Sequence, residues 1–151
     1  MIHEIFADKG AVCAEILATL PDWFGIPASN ATYKRDVESL PVFVAKESDR
    51  VLGFVAVKQN TPFACEIHVL GVRPELHRRG LGRELVAHCE CRAREMGARF
   101  LTVKTLSSSH PDPGYAKTRA FYEAMGFVPI EEFGTLWNPD NPALMMLKVL
   151  A

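Results

Sequence analysis

The sequence predicts an α/β protein of the α+β kind, a mixed, mostly antiparallel central sheet with flanking helices, and three observations carry that reading. Between residues 42 and 72, three runs rich in β-branched and aromatic residues follow one another with short links, the pattern of an antiparallel meander. After the third run comes a strongly amphipathic helix, and after it a buried apolar strand, so strand, helix and strand make a right-handed crossover that sets two strands parallel. The chain then closes on a second helix and two strands joined by Asn138-Pro-Asp-Asn-Pro142, a strong turn.

Taken in order, Val12, Ile16, Leu17 and Leu20 recur at helical spacing until Pro21. Trp23-Phe24-Gly25-Ile26-Pro27 follows, then a short helix over 29–40 capped by Ser29 or Asn30. Strands are expected at 42–46 and 51–58, separated by Glu-Ser-Asp, and at 63–72. In the next helix Leu81, Leu85, Cys89 and Met96 form one apolar stripe with Val86 and Ala93 beside it, while Arg83, Glu84, Glu90, Arg94 and Glu95 lie on the other side. Gly97 ends it. A strand at 100–105, a Ser-Ser-Ser-His-Pro-Asp-Pro-Gly loop, a helix over 115–125 closed by Gly126, and strands at 128–136 and 143–150 complete the chain. No repeat, linker or change of composition marks a second domain, so residues 1–151 are read as one.

Composition narrows the class of function. Of 151 residues, 48% are hydrophobic and 23% charged, and the net charge is −1, which fits a packed core and gives no electrostatic footprint for nucleic acid. The longest apolar runs, such as 51–57, are far short of a membrane span, and no secretory leader is visible, so a soluble cytoplasmic protein is expected. Cysteines at 13, 65, 89 and 91 lack Cys-x-x-Cys spacing and any His-x-x-x-His partner, and are read as reduced thiols without a metal.

The most informative stretch is Val72-Arg-Pro-Glu-Leu-His-Arg-Arg-Gly-Leu-Gly82, lying between a strand and a helix. The leading amides of a helix have no intrahelical partner, and the macrodipole puts partial positive charge there. Gly80 and Gly82 remove the Cβ atoms that would keep an anion from the backbone, and Arg78, Arg79 and Arg83 add positive charge. Alone, Gly-x-Gly is a weak signal, because an ordinary helix start explains it as well.

Together with the order of elements, Val72-x-Pro74, His77-x-x-Gly80-x-Gly82 and, some 40 residues on, Phe121-Tyr122-x-x-x-Gly126-Phe127 resemble the GNAT superfamily of N-acetyltransferases. The resemblance extends over almost the whole chain. Two positions depart from the family pattern: His77 stands where Gln or Arg is usual, and Tyr115 where many members carry Asn. What the resemblance implies is the acyl-CoA N-acyltransferase fold, with acetyl-CoA lying between two parallel strands that splay apart, here 63–72 and 99–105. Leu70 and Val72 would offer backbone groups to the pantetheine, with Gly71 as the bulge that opens the pair. Residues His77, Arg78, Arg79, Gly80, Leu81, Gly82 and Arg83 would hold the pyrophosphate, and Tyr115 would sit by the pantetheine arm. The implied reaction is N-acetylation by direct attack in a ternary complex, without a metal.

That chemistry needs a neutral amine, a donor to the oxyanion and a proton for the departing thiolate. The resemblance gives the last role to Tyr122. For the base, strand alternation in Cys65-Glu66-Ile67-His68-Val69 puts Glu66 and His68 on one face. Glu66 is the favoured acceptor of the amine proton; His68, or a chain of waters, is the alternative, and both side chains also suit a plain solvent-facing strand. Trp23, Phe24, 33–36, 107–114 with His110 and Asp112, and Trp137-Asn138 are the segments that would select the acceptor, although Asp112 followed by Pro113 equally suits the N-cap and first position of the next helix. A small amine or amino acid is favoured over a protein tail. A CoA-binding regulator without catalysis is the competing reading, weakened by the intact Phe121-Tyr122 signature. The chain is expected to work as a monomer or homodimer, the terminal strands being available to pair.

Overall fold

The structure, a computed structural model, describes residues 1–150. It divides into two compact units, residues 1–58 with 67–92, and residues 59–66 with the described residues from 93 onward.

The first unit runs β1 (Ile2–Ile5), α1 (Lys9–Leu17), α2 (Pro27–Asp36), a 3-10 turn (Val37–Ser39), β2 (Val42–Glu47) and β3 (Arg50–Thr61), then enters β4 (Ala64–Val72) and, after a second 3-10 turn (Pro74–Leu76), most of α3 (Leu81–Glu95). Its strands lie in the order β1-β2-β3-β4. β1 and β2 are antiparallel, Ile2 opposite Ala45 and Ile5 opposite Val42, and β2 pairs antiparallel with β3. The meander expected from the sequence is therefore present, lengthened by a strand at the N-terminus. Ile-His-Glu-Ile is short and carries two polar residues, so its local signal was weak; pairing with β2 makes it a strand.

The core of this unit is a sheet face covered by α1. Cys13, Ile16, Leu17 and Leu20 bury against Val42, Val44, Phe54, Ala56 and Val69. Two glycines allow the close packing. A Cβ on Gly53 would stand 2.8 Å from the Gly71 carbonyl oxygen, and one on Gly71 would stand 3.0 Å from Ile16 Cγ2, 3.2 Å from Leu20 Cδ1 and 3.3 Å from Phe54 Cε1. Gly71 thus answers first to packing beneath α1.

Helix α2 begins two residues before the expected Ser29. Ile26 is the N-cap, in extended conformation, and Pro27 takes the first helical position, where a missing N–H costs nothing. Asn30 instead donates its side-chain amide to the Phe24 carbonyl at 2.7 Å. The helix stops at Asp36, and the rest of the expected span tightens into the 3-10 turn. No residue of α2 is buried.

The second unit holds the ends of the β3–β4 hairpin, β5 (Phe100–Leu106), α4 (Pro113–Ala124), β6 (Val128–Asn138) and β7 (Asn141–Val149), with strand order β4-β5-β7-β6. The Phe63 carbonyl accepts from the amides of Arg99 at 2.7 Å and Phe100 at 3.2 Å, and further along Lys104 reaches Glu66. Contacts that climb both strands in the same direction make this pair parallel, so the sheet is mixed. β5 and β6 both pair antiparallel with β7. The last turn is tighter than the five-residue link expected, only Pro139 and Asp140 lying between the strands. Gly97 and Gly126 take φ of +85° and +97° at the ends of α3 and α4, which is why glycine closes both.

Cys13, Cys65 and Cys89 are buried and Cys91 is exposed. Burial pushes the Cys13 thiol up to about 12, opposed by the Lys34 ammonium, and also raises Cys65. A disulfide-exchange reagent at neutral pH is therefore expected to titrate Cys91 alone in the native protein and the other three only after denaturation. A second fast thiol would mean that the packing around Cys13, Cys65 or Cys89 opens readily.

Candidate active site

In the first unit, β4 ends at Val72 and the chain turns through Pro74–Leu76 to the start of α3. The turn is held from both sides. His77 donates from Nε2 to the Val72 carbonyl at 2.7 Å, and its ring meets Trp23 edge-on with centroids 5.5 Å apart. Arg73 donates from Nε to the Val51 carbonyl at 2.7 Å and pairs with Glu15. Arg50 pairs with Glu75 at 2.6 Å. The Glu75 carboxyl is held below the usual range, first by its own backbone amide and then by Arg50.

Beyond His77 the backbone turns left-handed at Arg78, φ +65°, and Gly80, φ +84°. A Cβ on Gly80 would meet nothing within 4 Å, so the glycine is there for its conformation and leaves an open approach to the backbone. The first α-helical bond runs from the Glu84 amide to the Gly80 carbonyl at 3.1 Å, which leaves the leading amides, those of Leu81, Gly82 and Arg83, without a partner within the helix. Arg78, Arg79 and Arg83 are all exposed around them. Donors, charge and access at one helix start suit an anion such as a phosphate group. His77 braces the entry to this loop through its side-chain bond to the Val72 carbonyl.

Further back on β4, His68 lies on the strand face opposite Ile67 and Val69, which are 2% and 4% exposed. Its Nε2 is 3.0 Å from Asp36 Oδ2 at the end of α2, and its ring meets Tyr33 edge-on at 5.6 Å. Tyr33 in turn packs on Phe24 at 6.0 Å. Of the residues flagged in the sequence as acceptor candidates, Tyr33 and Asp36 thus contact His68 on β4 and Trp23 contacts His77 just before the glycine loop, while Phe24 packs on Tyr33.

In the second unit Glu66 is 8% exposed. Its Oε1 accepts from Asn60 Nδ2 at 2.8 Å and its Oε2 from Lys104 Nζ at 2.8 Å. These partners were not foreseen, because the parallel register that brings Lys104 to Glu66 is not written in either strand alone. Tyr122 is 4% exposed on α4, with Phe121 and Phe127 edge-on at 5.1 and 5.4 Å. Asp112 caps α4, accepting from the amides of Gly114 at 2.8 Å and Tyr115 at 3.1 Å, with Pro113 at the first helical position. That fixes Asp112 as a helix cap and puts Tyr115, half-buried, in the first turn. In the preceding loop Ser109 hydrogen-bonds Glu132, and this contact, with a smaller one from Ser107, holds the Glu132 carboxyl below its ordinary range. Trp137 is exposed on β6.

Among the described residues no three His, Cys, Asp or Glu side chains gather as a metal site, and no helix is long and apolar enough to cross a membrane.

No curated protein sequence matches the chain. Among solved structures, a protein assigned to the GNAT acetyltransferases from Desulfovibrio desulfuricans superposes with TM-score 0.84 at 19% identity, over 100% of this chain and 99% of that one. An aminoglycoside 6'-N-acetyltransferase complexed with coenzyme A gives 0.78 at 19%, over 100% and 97%. The ribosomal-protein-S18-alanine N-acetyltransferase of Escherichia coli gives 0.78 at 19%, over 100% and 94%. At these identities the likeness establishes the fold. The profile of the acetyltransferase (GNAT) family matches residues 11–127, from α1 through the Gly126-Phe127 end of the second signature, and the chain belongs to that family of acyltransferases.

Proposed function

We propose that the protein transfers an acetyl group from acetyl-CoA to the primary amine of a small molecule or amino acid, by direct attack in a ternary complex. The observation that carries the reading is the start of α3, where left-handed Arg78 and Gly80 expose three leading amides among three exposed arginines. A diphosphate seated there fixes one end of the donor. The backbone of Leu70, Gly71 and Val72 is the proposed rail for the pantetheine, and Tyr115 flanks its arm.

Tyr122 is the proposed proton donor to the departing thiolate. A phenol stays protonated through neutral pH, and the flanking aromatic rings hold it in a fixed direction. Glu66 is the proposed acceptor of the proton that the amine sheds as it attacks. Its Lys104 and Asn60 partners hold the carboxylate in one place and leave the second lone pair of each oxygen for the amine or a water.

The aromatic trio Trp23, Phe24 and Tyr33 supports an acceptor of small size with an apolar body. The alternative of a peptide acceptor keeps the same donor site and the same base.

Calorimetry with acetyl-CoA tests the reading, using ATP and NAD as controls. The expected result is saturable binding of acetyl-CoA and of CoA, with no heat from the controls, followed by amine-dependent thiol release. No binding would mean that the glycine loop does not take a diphosphate, and the transferase reading would fall.

A further inference from the structure

Asn60, Glu66 and Lys104 stand on three neighbouring strands, β3, β4 and β5, and their side chains join in one line across the sheet. Glu66 spends one lone pair of each oxygen, on Asn60 Nδ2 and on Lys104 Nζ, both at 2.8 Å. Lys104 spends one of its three N–H donors there, and among the described residues no second side chain accepts from it. Its side chain is 29% accessible and that of Glu66 10%, so the unspent donors lie at the more open end of the pair. On β7 the residue opposite Lys104 is Met145, which brings no charge. The next acid in that row is Glu131 on β6, two strands away and about 10 Å distant by strand spacing.

Such a pair selects by charge pattern. It sums to zero, so it holds no net well for a cation, but its two ends carry opposite signs 2.8 Å apart. A plain ammonium set against Glu66 is repelled by Lys104 from almost the same distance, and most of its attraction cancels. An α-amino acid carries ammonium and carboxylate on one carbon, a dipole of similar length. Laid head to tail against the pair, ammonium by Glu66 and carboxylate by Lys104, it turns every nearest contact into an attraction.

Resting on the amine acetyltransferase reading, we propose that Lys104 binds the carboxylate of the acceptor and that the acceptor is a free α-amino acid. Lys104 is then a specificity-determining residue, and Asn60 keeps Glu66 in line with it. The reaction balances as ⁺H3N–CHR–COO⁻ and acetyl–S–CoA giving acetyl–NH–CHR–COO⁻, HS–CoA and H⁺. The N–C bond forms, the C–S bond breaks, and of the two protons that leave nitrogen one goes to the thiolate and one to water. Acetylation removes the charge that faced Glu66 and leaves an anion beside it, which favours release of the product.

The test compares kcat/KM for glycine, L-leucine, L-phenylalanine and L-lysine with that for the amide and the decarboxylated amine of each. The unaltered protein is expected to favour at least one amino acid over both of its partners about 10- to 100-fold, the worth of one charge-assisted hydrogen bond. The amide gives up its ammonium proton more readily than the acid, so a preference for the acid comes from the carboxylate. Lys104→Gln keeps a donor for Glu66 and removes the charge. It should bring the ratio of acid to amine towards one, chiefly through KM for the acid, whatever it does to the rate with either. Lys104→Arg should restore part of the ratio.

A preference of the unaltered protein for the amines or amides, or a Lys104→Gln variant that loses equally on acid and amine, would overturn the proposal and leave Lys104 as a structural partner of Glu66. Should the variant fail to fold, seen in its melting curve, the panel on the unaltered protein still decides. Failure of the unaltered protein to turn over any member of the panel, despite binding acetyl-CoA, would overturn the transferase reading itself, a result distinct from a lost preference.

Discussion

Replacing Tyr122 with Phe is expected to lower kcat by about 10²-fold, the usual worth of one positioned proton donor, while acetyl-CoA affinity stays within about twofold. The two effects separate because the hydroxyl is the only group removed. The ring stays, and with it the edge-on contacts to Phe121 at 5.1 Å and Phe127 at 5.4 Å, so α4 keeps its seat. Stability should fall by about 1 kcal/mol at most, the net worth of one hydrogen bond. Single-turnover thiol release under saturating donor reads the step directly. If the variant turns over at the native rate, the thiolate leaves without help from Tyr122, and the donor role must pass to another group or to water. A variant that loses donor affinity in proportion to rate would instead make Tyr122 a binding residue.

The largest loss of stability is expected at Phe54. This ring is fully buried in β3, in a cluster with Ile16, Leu20, Val44 and Val69. Truncation to Ala removes its transfer free energy and leaves a cavity, together about 3–5 kcal/mol. For a chain of this length that lowers Tm by about 10 °C, readable by calorimetric or fluorescence melting. The facing glycine supplies a second readout. A Cβ at Gly71 would press on Ile16, Leu20 and Phe54 Cε1, so Gly71→Ala alone should destabilise. In the Phe54→Ala background one of those contacts is gone, so the double variant should lose less than the sum of the singles. Strict additivity would mean that the two sites do not share a space.

Much of this was legible in the chain because it is encoded locally. The apolar stripe of α3, the glycines at 80, 97 and 126, and the Asp112-Pro113 cap are short-range statements, and the structure carries each of them out. The family signatures are local too, which is why the fold class and the enzyme class followed from residues 72–82 and 121–127. What escaped were choices made by distant partners. β1 has little propensity of its own and is a strand because β2 offers an edge. The start of α2 is decided by Pro27 fitting the first helical position, although Ser29 and Asn30 are better capping types. Asp36 meets His68 across 32 positions and Lys104 meets Glu66 across 38, distances over which spacing rules say nothing. The contacts of the His77 ring with the Val72 carbonyl and Trp23 were not readable from spacing either.

The Trp23–His77 contact reaches further than the loop it steadies. Trp23 belongs to the segment between α1 and α2, where the acceptor is proposed to dock, and His77 leads into the turn that would receive the donor. Anything that orders one ring limits the motion of the other. Occupation of the glycine loop would then lower the entropic cost of seating the amine, and linkage requires the amine to tighten the donor by the same factor. Order of addition and synergy between substrates would be set by a single edge-on pair of rings, well away from the atoms that react.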